Sequence, residues 1–449
     1  KATEPPPARR GEQDCFQPRN AARFVVGLAH THTAVEGERQ EYWFADLGTA
    51  TSPFGDASLP DEIKLPHLES FAPGYQFFPI ATNVLVYEAS GTQAPRQRSK
   101  ADPAETAPLL GLHPRPRGVG FNQERPFRWE PLLTAHDSTN DDYRGAIAAL
   151  MVHVQPPYRG GVWAVFTPSA ADFYQQPLVK NCLQQTLDRM RRGVFLVEGG
   201  AEFFTVFENQ TFSVGARIVN LGANAATNLS LALELDTRPP GGRRVLKATS
   251  LRLAPDQTAT VETQARLRNS AESVVRVTLR ADGEWLDGLS HEIGLWRPKT
   301  NPAFIEARAG GFWQRGQPWK AHGVNYMPSS GIGLANQQHF EHWVGRGAYD
   351  PEIIGRDLRR IKAMNLNAVS VFIYHESLGA QHLLDFLRRC EELDLHVNLS
   401  LRPGTPLDFR WNEMKGLIEH YRLAQNDTVF AYDLAWEPSH GGHPQQQQT

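Results

Sequence analysis

The stretch VFAYDLAWEPSHG, residues 429–441, decides how the second half of the chain reads. A run of β-formers over 429–435 stops at Trp436-Glu437-Pro438, so a lone carboxylate stands where a buried strand meets a loop. When parallel strands close into a barrel with helices outside, the C-terminal strand ends form the active face. A glutamate there reads as catalytic. The plainer reading is a carboxylate that caps a turn before Pro438.

Working back from that strand, residues 303–449 show a βα rhythm. AHGVNY (321–326), NAVSVFIY (367–374) and HVNLSL (396–401) are the earlier strand candidates, with helices between them. A helix is expected over 351–364, with Asp350 at its N-cap and Pro351 in the first helical position. A second, over 381–393, lines up Leu383, Leu384, Leu387 and Cys390 on one face; a third spans 412–423. Strands alternating with helices of this length imply a parallel sheet. The last two strand-to-strand steps match the roughly 30 residues of a βαβ unit.

Composition narrows the function classes. With 449 residues, a net charge of -3 and 41% hydrophobic residues, the chain has the profile of a globular protein of two to four domains. No basic run suggests nucleic acid, and no apolar run is long enough for a membrane span. The three cysteines, Cys15, Cys182 and Cys390, are too scattered for a disulfide framework or a zinc site. The first residue is Lys rather than Met, so a signal peptide or longer N-terminal region is expected upstream, and the protein is expected to be secreted or periplasmic.

Two further regions precede the βα part. Residues 1–202 alternate short apolar runs such as NVLVYEA (83–89) and AIAALMVHV (146–154) with Pro- and Gly-rich stretches. The polar, proline-rich segment 93–128 reads as an extended loop or partly disordered insert. A helix over 177–192, closed by Gly193, is followed by the strand GVFLVEG. That strand–helix–strand order favours a mixed α/β N-terminal domain; a β-sandwich with one appended helix is the alternative. Residues 203–297 alternate apolar and polar with period two and carry turn signals every 8–12 residues or so, as an Ig-like antiparallel β-sandwich does. Its expected role is that of a structural spacer.

The segments GGFWQRGQPWKAHGVNYMPS, YDPEIIGRDLRRIKAMNLNAVSVFIYH and AYDLAWEP together resemble the front half of a clan A glycoside hydrolase barrel. A sandwich followed by a barrel is similar to family 2 enzymes; the single-strand motifs are equally similar to family 5. The resemblance covers residues 304–440 and implies a partial (β/α)8 TIM barrel of four strands. It also implies a retaining β-glycosidase that hydrolyses O-glycosidic bonds of a carbohydrate without metal or organic cofactor. Glu437 then inherits the acid/base role, with Trp436 and Tyr432 placed to raise its pKa by desolvation.

Other residues at strand ends are candidates for substrate contact: Asn325 and Tyr326 after the first strand, His375 after the second, Arg402 after the third, and Trp343 in the first βα loop. Tyr326 reads almost as well as a core residue, and Trp343 as part of a surface insertion. Two positions depart from the family pattern. Trp436 stands where an Asn normally precedes the acid/base, and Ser370 where the second strand commonly carries Arg. The resemblance places the nucleophile on a seventh strand, so the chain is expected to be a fragment, inactive in hydrolysis as it stands. The rival reading is a non-catalytic carbohydrate-binding or cell-surface scaffold with a degenerate barrel. Oligomeric state is left open.

Overall fold

Among the residues that the computed structural model describes, strands pair into five sheets. Those residues are 84–89, 98–100, 109–112, 114–156, 159–168, 171–237, 242–267, 272–331, 342–402 and 411–433, with short strands at 23–26, 33–34, 42–44 and 77–80.

The first sheet has ten strands: β1 (Arg23–Val26), β2 (Thr33–Ala34), β3 (Tyr42–Phe44), β4 (Phe77–Ile80), β5 (Val84–Glu88), β6 (Arg98–Lys100), β7 (Leu109–Leu112), β8 (Phe127–Asp137), β9 (Tyr143–His153) and β10 (Val162–Phe166). Its pairings are antiparallel except where β1 meets β3 and β10. Helix α1 (Pro177–Arg192) lays Leu178, Val179, Cys182 and Met190 into the core of this sheet. Pro177 sits in its first turn, and Gly193 ends it in the left-handed region at φ 71°, where a side chain would be strained.

The next strand, β11 (Val194–Ala201), does not return to that sheet. It pairs antiparallel with β13 (Thr211–Asn220), which continues to β16 (Thr258–Arg266). A five-stranded sheet faces it, built from β12 (Thr205–Phe207), β14 (Ala226–Thr237), β15 (Gly242–Leu253), β17 (Glu272–Ala281) and β18 (Glu284–Trp296) in the order β12-β18-β17-β14-β15. Leu229, Leu231, Leu233 and Leu235 on β14 alternate into the core against Phe212, Val214, Ala216 and Ile218 on β13. The expected sandwich is therefore present, but with a strand from before residue 203 in it. Element order along the chain does not say which sheet a strand joins. β11 is buried along its whole length: Leu196 and Ala201 face the sandwich core, while Phe195 and Val197 face the core of the first sheet.

The proline-rich segment carries no helix or strand over 114–126, in keeping with an extended loop, but it is largely buried. Residues 114–126 form a buried strap, with Arg115, Gln123 and Arg125 each no more than 3% exposed. Main-chain oxygens absorb the polar side chains. Arg125 Nη1 donates to the Val119 carbonyl at 2.6 Å and its Nη2 to that of Tyr349 at 2.7 Å, while Gln123 Nε2 reaches the Phe121 carbonyl at 2.8 Å. Close approach requires glycine at residue 120, where φ is 94° and a Cβ would lie 2.9 Å from the Phe204 ring.

A three-stranded meander follows, β19 (Ile305–Arg308), β20 (Gly311–Gln314) and β21 (Gln317–Trp319). Its two tight turns place Ala309-Gly310 and Arg315-Gly316 at positive φ, as type I′ hairpins require. The chain then enters a four-stranded parallel sheet of β22 (Gly323–Asn325), β23 (Ala368–Tyr374), β24 (His396–Arg402) and β25 (Val429–Asp433), paired in sequence order. Helices α2 (Pro351–Ala363), α3 (His382–Glu392) and α4 (Trp411–His420) lie in its connections. Asp350 caps α2 as expected, accepting from Glu352 N at 3.0 Å and Ile353 N at 3.2 Å. The architecture is multidomain and β-rich, with antiparallel sheets followed by a parallel one.

Candidate functional site

Strand register sorts the parallel sheet into two unlike faces. Val369, Val371 and Ile373 of β23, with Val397 and Leu399 of β24, share a core with Ile354 and Leu358 of α2 and Leu383 and Leu387 of α3. The other face is polar. Asn325 pairs in register with Ser370, Ser370 with Asn398, and Asn398 with Ala431; the next tier carries Phe372, Ser400 and Asp433. Asn398 Nδ2 donates to Ser370 Oγ at 3.0 Å, and Ser400 Oγ donates to Asp433 Oδ2 at 3.1 Å. A parallel sheet normally has both faces covered by apolar packing. Here one face offers ligand-type hydrogen-bonding groups.

Aromatic packing closes the opposite end of that face. Trp319 lies 5.1 Å from Phe430 and 5.4 Å, edge-on, from His396, at the N-terminal ends of the strands. At the C-terminal end β23 stops at Tyr374, β24 at Arg402 and β25 at Asp433.

The residues proposed from sequence fall into three groups. Asn325 is exposed on the polar face. Tyr326 turns the other way: it is buried, its hydroxyl donates to Asp357 of α2 at 3.3 Å, and its ring lies parallel to Phe386 of α3 at 6.0 Å. Trp343 is 1% exposed, packs edge-on against Phe386 at 5.1 Å, and donates from Nε1 to the Phe372 carbonyl at 2.8 Å. Both rings are core, and neither presents a face to a sugar. His375 opens a short 3-10 helix, and Arg402 ends β24 in register with Tyr374; their side chains lie outside the described residues. Trp436 and Glu437 also lie outside them, just after the end of β25.

Sequence reasoning missed the charged joint behind the sheet. Asp385, within α3, is fully buried. It accepts from Thr205 of β12 and from Tyr349, both at 2.7 Å, from Arg389 Nε at 2.7 Å and from Arg388 Nη2 at 3.1 Å. Burial alone would raise its pKa, but Arg389 and Arg388 outweigh it and hold the carboxyl well below its usual range. Nearby, Tyr349 stacks on His382 at 4.4 Å, and Phe204 lies 4.9 Å from His291. Desolvation pushes His291 down to about 4 and His382 down to about 3, so both are neutral at neutral pH. An aspartate four residues before an arginine, set among leucines, was the visible sign of this joint.

No family model matches the chain, and no curated protein matches it. Solved structures show distant similarity. Beta-glucuronidase 2 of Bacteroides uniformis aligns at 18% identity over 54% of this chain and 28% of its own, with a TM-score of 0.23. A beta-glucuronidase from glycoside hydrolase family 2 aligns at 16% identity over 53% of this chain and 23% of its own, with a TM-score of 0.24. A putative beta-galactosidase from Bacteroides fragilis aligns at 15% identity over 55% and 47%, with a TM-score of 0.20. The chain thus spans about a quarter of the glucuronidases' length and under half of the galactosidase's. TM-scores of this size do not establish a shared fold. Among the described residues, no group of His, Cys, Asp and Glu side chains is arranged to hold a metal ion, and no helix is long and apolar enough to cross a membrane.

Proposed function

We propose that the parallel sheet is the front half of a (β/α)8-type barrel and that its strand ends form the sugar site of a retaining β-glycosidase. The single observation that carries this reading is the polar face. Asn325, Ser370, Asn398, Ser400 and Asp433 share the side of the sheet away from the helices and run toward the C-terminal strand ends, where a barrel of this kind holds its substrate. Glu437 follows the last of those strands by four residues. In this reading its carboxyl protonates the departing glycosidic oxygen and then takes a proton from the attacking water. The mechanism asks for a partner carboxylate about 5–5.5 Å away. Asn325 is the described residue best placed to touch substrate, with His375 and Arg402 at neighbouring strand ends.

A non-catalytic carbohydrate-binding scaffold is the second reading, and Ser370 favours it. Its hydroxyl already accepts from Asn398, and among the described residues no cation stands beside it to hold a catalytic carboxylate. One substitution separates the two. Glu437→Gln, made in the chain together with any sequence that follows it in its reading frame, is expected to lower hydrolysis of unactivated β-glycosides by about 10²–10⁴-fold with little change in binding. Equal rates in both proteins reject the assignment. Sugar binding without turnover in the unmutated protein selects the scaffold.

A further inference from the structure

Among the described side chains of the polar face, Asp433 alone is ionised at neutral pH. It is the last residue of β25, half-buried, and in register with Ser400 of β24. Ser400 is 1% exposed and donates its one hydroxyl proton to Asp433 Oδ2 at 3.1 Å. Among the described residues nothing donates to Oδ1, and no lysine, arginine or histidine pairs with the carboxylate.

The carboxylates that hold this chain together are saturated by comparison. Asp287 accepts from Arg128 Nη1 at 2.6 Å, from Arg128 Nη2 at 3.1 Å and from the Leu196 amide at 3.0 Å. Asp427 accepts from Lys299 Nζ and from the Ala303 amide, both at 2.7 Å. Each has a cation and a main-chain donor. Asp433 has one hydroxyl. A carboxylate partly withdrawn from water, with one oxygen idle, is destabilising until another donor reaches it.

We infer that Asp433 is a specificity-determining residue of the strand-end site, its idle oxygen accepting from one hydroxyl of the bound sugar. This rests on the sugar-site reading above and adds to it the group that reads a hydroxyl. Position supports it: Asp433 ends a parallel strand at its C-terminal end, and no more than about 14 Å of extended chain separates it from Glu437. The two therefore stand within reach of one glycoside. Ser400 holds the carboxylate from the neighbouring strand before any substrate arrives, so little order is lost on binding. An ionised carboxylate only accepts, and a bond to a charged acceptor is stronger than one between neutral groups. A site built on such a bond discriminates against the analogue that lacks the hydroxyl.

Calorimetry tests this on the same protein as the Glu437→Gln comparison, with methyl β-glucoside, β-galactoside and β-mannoside and the monodeoxy analogues of each as probes. One parent glycoside is expected to bind saturably, and one of its deoxy analogues about tenfold more weakly. Asp433→Asn keeps an oxygen for Ser400 and loses the second acceptor. It is expected to weaken the parent about tenfold, to leave that one deoxy analogue at its own affinity, and to leave the urea midpoint in place. Asp433→Ala, which removes both oxygens, is expected to show the same selectivity. A loss spread equally over the parent and all its deoxy analogues marks a structural role and overturns the inference. Unchanged affinity in both variants, or no saturable binding of any parent, overturns it too. The two assignments fail separately. An unchanged rate in Glu437→Gln removes the acid/base and leaves the hydroxyl pattern standing, whereas a missing pattern with a lowered rate removes Asp433 and leaves Glu437.

Discussion

The joint around Asp385 and the floor around Asn398 are both polar, and they sit on opposite sides of the same parallel sheet. At the joint, every partner of the carboxylate is itself buried or half-buried, and the contacts run from β12 of the sandwich to α3. On the floor, Asn398 and Ser370 bond to each other and are only partly buried. A charge withdrawn from water is costly unless fully paired, so the joint can exist only complete. Polar groups on an open face keep water as an alternative partner, and a ligand can displace that water at little cost. The same sheet thus separates a part that holds shape from a part free to exchange partners.

Removing the carboxylate tests the first half of that contrast most severely. Asp385→Ala strands Arg389 in a buried site, leaves Arg388 with only Glu392 and Thr205, and deprives Thr205 and Tyr349 of their acceptor. The expected loss is about 3–5 kcal/mol, read as a lower urea midpoint of unfolding. A loss under about 1 kcal/mol would mean that the joint adjusts like a surface, and the contrast would fail.

Acid should attack the same region next. His291 Nε2 accepts from Ala201 N at 2.8 Å, while its Nδ1 bonds the Glu292 carbonyl at 2.8 Å, so the ring must stay neutral to keep both bonds. Its folded pKa lies below the unfolded value of about 6.5. Above that value both states are neutral, and stability does not depend on this group. As pH falls, the unfolded chain takes up a proton that the folded one refuses, and stability drops until about pH 4. The expected loss is on the order of 3 kcal/mol from His291, with His382 adding in the same direction. Urea midpoints at pH 7 and pH 4.5 check it. No change between them would mean that water reaches the rings.

How far the sequence foretold these two regions differs in a physical way. The parallel strands were legible because Val369, Val371 and Ile373 alternate with residues of another character, and because Asp350-Pro351 marks a helix start unambiguously. The sandwich was legible for the same reason in the leucines of β14. The joint was not. A buried aspartate looks like a surface residue until its partners, far apart in sequence at Thr205, Tyr349 and Arg389, are brought together. The burial of the strap 114–126 was not legible for a related reason. Prolines, arginines and glycines are the composition of a loop, yet Arg125 found main-chain carbonyls, Arg117 found Glu352, and Gly120 let the backbone approach Phe204. Of the candidate site residues, Tyr326 and Trp343 were placed at a strand end and a loop correctly, but position along the chain does not say which way a ring turns. Asn325 does lie on the polar side, which follows from its register with Ser370.

The smallest expected effect on stability is the most informative about the floor. Asn398→Ala deletes one half-exposed hydrogen bond to Ser370 and leaves a hydroxyl that water can satisfy. Its cost should fall within about 0.5 kcal/mol, as for an ordinary surface change. If the floor contacts substrate, the same variant should lower kcat/KM by about tenfold, a loss of transition-state binding with the fold intact. That pattern is the reverse of the one expected at Asp385, where stability collapses first. A destabilisation by Asn398→Ala as large as that of Asp385→Ala would mean that the polar face is covered in the protein. It would then be core, with no room left for a sugar above Ser370 and Asp433.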